Sequence, residues 1–515
     1  MRRKKAYTIL VSVLSIILLT LIIWWGYTNL SQKEVNADID LYTLVPSDSK
    51  AILESKDFST LQKNIHSSHF TEEYGLLHVS DLLNDFISYL ENVSKQQAHG
   101  LSSEMSSQIL VSFHHPNTTQ DQVIYGRLGK NDKQLITDLI NNHTTSKHSP
   151  KQLTYKGETI TIYSFGKEFL ACYFKPGFFA ISLQEKLIEK VIDAYKEDSS
   201  IKENKSFNTL KNKNKHNEQL SLYFQTNNSI DTWNEYEIRM NSGAIYITGG
   251  YVESNITNLL TANLITHTSL ERIDDTDLPN HVQIMYQIPF TPNNNNFSNN
   301  TTNHTLENLL TIYDCQELDL IMFSPKGGDD IAHQLIMMPL PENQMEDFKL
   351  KLRTSPYIYR KPSLWIKGIA HSVWQCTKDS ILQHYFIQHP QKTDYFLSVY
   401  KNKLLISDKK ESILHYLTEV TDNTTNHQLD KYTNKILYTY CLNDLAENAN
   451  FTFVADMNDI INHCLNSTTP TPLLPDFFMK HKDFFKHFML SIQLINTDGQ
   501  INSQIILTYR GDIQH

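Results

Sequence analysis

Glycine is scarce in this sequence, with 16 residues among 515. Loops that cradle phosphate groups need glycine for tight turns and for close approach of the backbone, and no Walker-type glycine loop is present. The sequence also lacks a Gly-x-Ser-x-Gly nucleophile motif and a His-Glu-x-x-His zinc motif. These absences predict a protein that is not an enzyme, with no catalytic, cofactor-binding or metal-binding residues.

Cysteine is rare as well. The five cysteines form no Cys-x-x-Cys pair, and their odd number prevents complete pairing within the chain. Most of them have apolar neighbours, as in the stretches FLACYF and LYTYCL. We therefore expect buried free thiols and no disulfide framework. The residues concerned are Cys172, Cys315, Cys376, Cys441 and Cys464.

Cationic side chains are outnumbered by acidic ones. The chain has 46 Lys and Arg against 56 Asp and Glu, and four of the cations are the consecutive residues 2–5. Without those four, 42 cations face 56 acids, which leaves a net charge of about −14. A nucleic-acid partner would require the opposite sign, so none is expected.

A long uncharged run follows the four cations. The run from Ala6 to Tyr27 is long enough to cross about 30 Å of hydrocarbon as a helix, and flanking cations remain on the cytoplasmic side. We predict a cytoplasmic tail at 1–5, a transmembrane signal anchor at 6–27 and a polar spacer at 28–37. The remainder would lie on the periplasmic or extracellular side of the cell (inner) membrane. The alternative is a signal peptide cleaved near Val35-Asn36-Ala37. The apolar region of a signal peptide is about 7 to 15 residues long, and the run here is longer, which favours the anchor.

The rest of the chain contains an internal repeat of two diverged copies. The stretch VPSDSKAILES from Val45 is echoed by LPNHVQIMYQI from Leu278, and the offset between the copies falls from about 233 to about 215 residues. We predict an α+β fold, in which the anchor is followed by two tandem related domains of antiparallel sheet with packed helices. The predicted ranges are 38–268 for copy 1, 269–277 for a linker and 278–515 for copy 2, with a mobile Asn-rich loop at 291–305.

The echoes follow the same order in both copies. SSQILVSF and VIYGRL correspond to ELDLIMF and HQLIMMPL, each as two strands around a polar turn. EFLACYFKPGFFAISLQEKLIEKVI corresponds to DYFLSVYKNKLLISDKKESILHYL, with Ile181-Ser182 opposite Ile406-Ser407 and a helix directly after. LSLYFQ is matched to LYTYCL, and EIRMNSGAIYITGGYV to SIQLINTDGQINSQIILTY. Alternating apolar residues across tight turns predict antiparallel strands.

Three motifs could carry chemistry, and each has a simpler interpretation. Gly327-Gly328-Asp329-Asp330 is typical of a hairpin turn, although the pattern also occurs in nucleotide-cyclase signatures. The histidine pairs His114 with His115 and His384 with His389 have no flanking ligand pattern, so we expect packed or solvated side chains. A helix capped by Asp476 is predicted to pack its aromatic face on its own sheet, although a membrane or partner contact is the alternative. Its aromatic residues are Phe477, Phe484, Phe485 and Phe488.

The layout resembles an uncharacterised family of membrane-anchored bacterial proteins, a domain of unknown function. The resemblance rests on the opening Val45-Pro46-x-Asp48-x-x-Ala51-Ile52-Leu53 and on hairpins of the pattern Phe-x-x-x-Tyr-x-x-x-x-x-Ile-Ser followed by a helix. Phe396, Tyr400, Ile406 and Ser407 carry the second pattern. These motifs are packing patterns, and the resemblance implies no site residues.

Two classes of function remain open from the sequence. The first is a non-catalytic envelope protein with a scaffold or partner-binding exported part, held at the membrane and bound to envelope proteins. The second is an extracytoplasmic carrier or receptor for an apolar, lipid-like ligand. Strands that face a core and strands that face a lipid pocket have the same composition, so the sequence does not separate the two.

Overall fold

A computed structural model describes most of the chain after residue 38. The described residues are 39–56, 67–68, 108–115, 121–128, 149–165, 168–213, 220–225, 233–251, 269–290, 305–324, 333–377, 382, 394–423, 435–466, 482–497 and 500–512. The predicted tail, anchor and spacer (residues 1–37) lie outside these ranges, as does most of the Asn-rich loop. No helix within the described ranges has both the length and the apolar character needed to cross a membrane.

The chain divides into two compact units. Unit 1 contains residues 1–250 and 471–484, and unit 2 contains residues 251–470 and 485–515. Both combine antiparallel strands with α-helices, which confirms the α+β class. Residues 269–277, where a linker is predicted, contain a two-residue strand and a 3-10 turn.

Unit 1 contains a fully antiparallel sheet. Along it the strand order is β4-β5-β6-β7-β3-β2-β1-β8-β9-β10. The described strands are β1 (Ala51–Ser55), β2 (Ile109–Phe113), β3 (Gln122–Leu128), β4 (Lys151–Tyr155), β5 (Glu158–Phe165), β6 (Glu168–Lys175), β7 (Gly177–Ser182), β8 (Leu220–Gln225), β9 (Trp233–Met240) and β10 (Ala244–Tyr251). The helices among its described residues that lie before β8 are α1 (Glu185–Glu197) and α2 (Lys205–Lys213).

The core of unit 1 lies between its sheet and these helices. Helix α1 buries Leu187, Ile188, Val191 and Ile192, which have the spacing of one helical face, and it packs on β3, β5, β6 and β7. Phe207 of α2 is fully buried. Its ring centroid lies 5.4 Å from that of Tyr42, 5.3 Å from that of Tyr223 and 5.2 Å from that of Trp233. Aromatic side chains therefore fill the space beneath α2.

Unit 2 has a sheet of the same kind, with strand order β15-β16-β17-β18-β14-β13-β12-β20-β21-β22. Its described strands are β11 (Leu270–Glu271), β12 (Val282–Pro289), β13 (Glu317–Phe323), β14 (His333–Pro339), β15 (Ile358–Ile366), β16 (Ile369–Cys376), β17 (Tyr395–Tyr400), β18 (Lys403–Ser407), β19 (Asn448–Ala449), β20 (Phe451–Asp456), β21 (Phe488–Thr497) and β22 (Gln500–Tyr509). Strand β11 pairs with β19 as a separate two-stranded ribbon.

Helices lie between these strands of unit 2. They are α3 (Thr305–Ile312), α4 (Met345–Thr354), α5 (Lys410–Asn423), α6 (Lys435–Asn443) and α7 (Met457–Asn466). The single turn α8 (Lys482–Phe485) precedes β21, and its residues 482–484 belong to unit 1. Helix α5 packs on β14, β15, β17 and β18, and α4 packs on β15.

The two units have the same strand order, position for position. Strand β7 pairs with β3 through Ile181 and Ile124, and β18 pairs with β14 through Ile406 and Ile336. Carried across the sheets, these registers make Val111 equivalent to Leu320 and Leu53 equivalent to Tyr286. The echoes that the sequence places at β2–β3, at β6–β7–α1 and at β9–β10 have their counterparts at β13–β14, at β17–β18–α5 and at β21–β22.

One serine joins a strand to the following helix in each unit. The hydroxyl of Ser182 donates to the carbonyl of Gln122 (2.7 Å) and accepts from the N–H of Gln184 (3.0 Å). The hydroxyl of Ser407 donates to the carbonyl of Gln334 (2.6 Å) and accepts from the N–H of Lys409 (3.3 Å). The hydroxyl thus satisfies a strand carbonyl and the N–H of the residue directly before the helix at once.

A two-residue turn, Lys-Gly, closes the equivalent hairpin of each unit. Lys156 and Gly157 have φ of 45° and 79°, and Lys367 and Gly368 have φ of 48° and 80°. Positive φ at both central residues is the requirement of a type I′ turn, whose twist matches that of the flanking strands. Glycine meets this requirement without strain, whereas lysine adopts it at a cost.

Two sequence predictions are wrong. LYTYCL is not the counterpart of strand LSLYFQ, because it belongs to helix α6, where Leu437, Tyr438, Cys441 and Leu442 are buried at helical spacing. Strand β20 takes that place in the sheet. Phe488 is not part of the predicted aromatic helix, whose described turn ends at Phe485. Phe488 is instead the first residue of β21, where it pairs with Tyr509 of β22. Residues 471–481, including Asp476 and Phe477, lie outside the described residues.

Candidate functional site

A group of polar side chains in unit 1, buried at its centre and exposed at Asp48 and Lys190, is the arrangement nearest to a catalytic set. We call it the His114 cluster, and it consists of Asp48, Ser112, His114, Tyr125 and Lys190. Ser112 Oγ lies 2.9 Å from His114 Nε2 and 2.9 Å from the Tyr125 hydroxyl. His114 Nδ1 lies 3.4 Å from Asp48 Oδ1, and Lys190 Nζ lies 2.5 Å from Asp48 Oδ2.

The contacts Ser–His–Asp follow the order of a hydrolase triad, but here the serine is buried and the aspartate is exposed, which is the reverse of a triad. In a triad the serine faces the substrate and the aspartate is buried. Here Ser112 is 0% exposed and His114 is 1% exposed, whereas the Asp48 side chain is 52% exposed. A substrate carbonyl has no approach to Ser112 Oγ in this arrangement. The cluster therefore links the sheet to Lys190 of α1 through hydrogen bonds and close ionic contacts.

The charges of the cluster support this interpretation. The contact with His114 lowers the pKa of Asp48 below its usual range, against the effect of burial, and Lys190 lowers it further. Burial raises the pKa of Tyr125, so its hydroxyl stays protonated. A carboxylate that stays ionised next to a cation fixes the orientation of the imidazole.

Unit 2 places a different histidine at the corresponding end of its sheet. His333, at the start of β14, pairs across the ladder with Phe323, which is equivalent to His114. Its Nδ1 lies 2.9 Å from Ser412 Oγ of α5, and its ring lies 4.8 Å from that of His415. Burial, followed by the charge of His415, lowers the pKa of His333, so the ring is neutral near pH 7. Both units therefore bury a histidine–serine contact here, from different sequence positions.

A second polar group, which we call the Asp319 cluster, lies in unit 2. It consists of Asp277, Gln287, Glu317, Asp319 and Lys403. Lys403 Nζ lies 2.8 Å from Asp277 Oδ2 and 4.0 Å from Asp319 Oδ2. Asp319 is 0% exposed, and neither of its carboxyl oxygens accepts a hydrogen bond from the described residues. The equivalent position in unit 1 is Leu110.

The protonation of this cluster follows from its burial. Burial raises the pKa of Asp319 well above its usual range, and the nearby charge of Glu317 raises it further. Burial disfavours a charge on Lys403, but the carboxylates of Asp319 and Asp277 outweigh that effect and raise its pKa. Lys401 also lies 3.2 Å from Asp277 Oδ1, so two lysines face the three carboxyl groups of Asp277, Glu317 and Asp319. The pair of Glu317 and Asp319 retains a proton, because burial raises the pKa of both groups. Within the described ranges, no group of three or more His, Cys, Asp or Glu side chains could hold a metal ion.

Each unit has a hydrogen bond between a glutamine and a glutamate on neighbouring strands, but the two residue types occupy opposite strands in the two units. Gln108 Nε2 donates to Glu54 Oε1 of the neighbouring strand at 2.6 Å, and Gln287 Nε2 donates to Glu317 Oε1 at 2.7 Å. By the sheet registers, Glu54 is equivalent to Gln287 and Gln108 is equivalent to Glu317. Both units keep one amide–carboxylate bond at this point, with donor and acceptor on opposite strands.

The remaining sequence candidates have simpler outcomes. His115 is exposed and lies beside the His114 cluster, while His384, His389 and residues 325–332 lie outside the described residues. Four cysteines are free and buried, as expected: Cys172, Cys315, Cys376 and Cys441. Burial raises the pKa of Cys315 and that of Cys441 to about 12, so both thiols are protonated. The side chain of Cys464 is outside the described part.

Comparisons with known proteins give no match. No protein-family model, no curated protein and no solved structure shows significant similarity to the chain. The resemblance to membrane-anchored bacterial proteins of unknown function therefore stays a prediction.

Proposed function

We propose that the protein is a membrane-anchored, non-catalytic envelope protein whose exported part binds protein partners. The observation that carries this proposal is the uncharged run from Ala6 to Tyr27 directly after four cations. Such a segment holds a chain at the membrane with its N-terminus in the cytoplasm. The folded units would then lie on the periplasmic or extracellular side.

The polar clusters support a non-catalytic role. Ser112 is covered by Tyr125 and by the surrounding core, and Asp319 has no exposed surface. A general acid or base must come within hydrogen-bond distance of its substrate. Both clusters instead connect elements of the fold through hydrogen bonds and ion pairs.

The packing of unit 1 favours partner binding over lipid carriage. A carrier for an apolar ligand needs an enclosed space between its sheet and its helices. Beneath α2 that region is occupied by the rings around Phe207, at centroid distances of 5.2 to 5.4 Å. The identical strand order also leads us to infer that the units are tandem domains related by duplication. Two similar folded units on one anchor suit a scaffold, because a shared anchor gives both a high effective concentration for neighbours in the membrane.

Three measurements test this function: a reporter fusion, and crosslinking and native mass spectrometry of the intact chain. Alkaline phosphatase fused after Ile273 should be active, because the fusion point would be exported, and an inactive fusion would reverse the orientation. Crosslinking in intact cells should give adducts with envelope proteins, and native mass spectrometry of the detergent-released chain should give a ligand-free mass. A stoichiometric lipid adduct without protein crosslinks would overturn the scaffold in favour of the carrier.

A further inference from the structure

The hairpin of β15 and β16 in unit 2 exposes large apolar side chains at its tip. Trp365 is 71% exposed and Ile369 is 57% exposed, and they flank the Lys367-Gly368 turn. Tyr359 is 50% exposed farther along β15. Single exposed apolar residues are common on protein surfaces, but here a tryptophan and an isoleucine are both exposed at one hairpin tip, one on each face of the hairpin by the strand register.

Positive charge surrounds this tip. From Phe348 to Thr377 the sequence contains no Asp or Glu, although the whole chain has a net charge of −10. The same stretch contains the cations Lys349, Lys351, Arg353, Arg360, Lys361 and Lys367. Helix α4 packs against β15 and adds the exposed Leu350 to the same region. The first turn of α4 also carries Asp347 and Glu346, and Glu346 lies 2.7 Å from Lys349. From Met345 to Thr377, six cations therefore stand against two acids, so the region is cationic and apolar within an acidic protein.

The equivalent hairpin of unit 1 shows that the fold does not require such a tip. Thr154 takes the place of Trp365, and Glu158 takes the place of Ile369. Lys156, at the turn, lies 2.6 Å from Asp193 and 2.5 Å from Glu197 of α1. The hairpin tip of unit 1 therefore carries a threonine and a glutamate where unit 2 has a tryptophan and an isoleucine, so the apolar composition of the tip in unit 2 has a separate cause.

The edge of β15 is poorly suited to pairing with another strand. Among the described strands it pairs only with β16, and its register is broken between Lys361 and Leu364, where Pro362 lies. Lysine, proline and a bulge are the devices by which edge strands avoid strand addition. Aromatic and aliphatic side chains among cations instead match the interface of a bilayer that contains anionic lipids.

We propose that the β15–β16 hairpin, together with α4, docks on an anionic lipid surface. The side chains of Trp365 and Ile369 enter the headgroup region, and Arg360, Lys361 and Lys367 contact lipid phosphates. This inference rests on the proposed membrane location, to which it adds a second contact in unit 2.

A fluorescent probe at the tip tests the docking on the full chain. The variant Trp365→Cys, labelled with a polarity-sensitive fluorophore, is reconstituted into vesicles of phosphatidylcholine with or without phosphatidylglycerol. We expect lipids with a quencher on the upper acyl chain to quench this probe at least about threefold more strongly in the anionic vesicles, because each nearby cation favours an anionic surface about fivefold. The matched control is Thr154→Cys in unit 1, whose quenching should not depend on the anionic lipid.

A second variant tests the electrostatic part without changing the tip. Arg360→Gln with Lys361→Gln should lower the anionic-dependent quenching at position 365 at least about fivefold. Hydrogen exchange over β16 should be unchanged in this variant, which shows that unit 2 remains folded.

The outcomes separate the two proposals. Carbonate extraction of the same vesicles reports the anchor alone, so release of the chain contradicts the anchor whatever the probe reports. Equal quenching at positions 365 and 154 in anionic vesicles would overturn the docking. Protection of the probe from aqueous iodide in native membranes, without any quenching by lipid in pure vesicles, would also overturn it and indicate an acidic protein partner.

Discussion

Removal of one hydroxyl group from each unit provides a paired test of the fold. The variants are Ser182→Ala and Ser407→Ala, at the last residues of β7 and β18. Each hydroxyl donates to a strand carbonyl and accepts from the second N–H after it. Alanine keeps the backbone and leaves both groups without this partner.

The magnitude follows from burial. Ser182 is 4% exposed and Ser407 is 0% exposed, so water cannot replace the hydroxyl. Each lost hydrogen bond contributes about 1 kcal/mol net, and an unsatisfied buried group costs about 1 to 3 kcal/mol. We expect each variant to lose about 2 kcal/mol of unfolding free energy, which is about a 30-fold change in the ratio of folded to unfolded unit.

Hydrogen exchange of the intact chain in increasing urea measures each unit separately through its own peptides. Ser182→Ala should weaken protection in β3 and α1, and Ser407→Ala should weaken it in β14 and α5, with Thr154→Ala as an exposed control. A loss below about 0.5 kcal/mol in either unit would refute the assignment of a shared junction. A loss in one unit alone would refute the equivalence of the two serines.

Three further results are expected. Gly157→Ala and Gly368→Ala should each cost about 1 kcal/mol in thermal or urea unfolding, because both glycines have positive φ; no loss at either would contradict the type I′ turns. Since the pKa of Asp319 is raised in the folded state, its stabilising contribution is complete below the unfolded pKa and is lost as pH rises through the folded pKa. Asp319→Leu introduces the residue that unit 1 has at the equivalent position, Leu110. It should reduce the fall in unfolding free energy between pH 4 and pH 9, and an unchanged pH dependence would mean that another group causes the fall. A fluorophosphonate should leave Ser112 unlabelled in the folded chain at pH 7, because Ser112 is buried. Labelling of Ser112 detected by mass spectrometry would support a hydrolase activity instead.

Local patterns were enough to predict the hairpins and the strand-to-helix junctions. Alternating apolar residues mark β6 and β7, and Ile181-Ser182 and Ile406-Ser407 occupy equivalent places because the same hydroxyl contacts are needed there. The pairing of LSLYFQ with LYTYCL failed because it assumed an offset near 215 residues. In the sheets Leu222 corresponds to Phe453, an offset of 231, because helix α6 lies before the strand.

The polar clusters were harder to predict, for reasons of distance along the chain. Asp48 reaches His114 only because β1 pairs with β2 and brings the preceding turn beside it. No spacing within the sequence encodes that contact. Asp319 did leave a signal, since an acid within the apolar stretch ELDLIMF is unusual in a buried strand. Its neighbours Lys403 and Asp277 come from distant segments.

The opposite placement of glutamate and glutamine in the two units has a consequence for how a duplicated chain reaches its native state. Tandem copies with one topology can misfold by borrowing a strand from each other. If β1 added to β13 in the native register, Glu54 would face Glu317, and two carboxylates would be buried together without a donor. The reverse error, β12 on β2, would place the amides of Gln287 and Gln108 together and carry no such charge penalty. The opposite placement of glutamate and glutamine therefore disfavours the pairing of β1 with β13. The pairing of β12 with β2 must be prevented by other residues of the sheet.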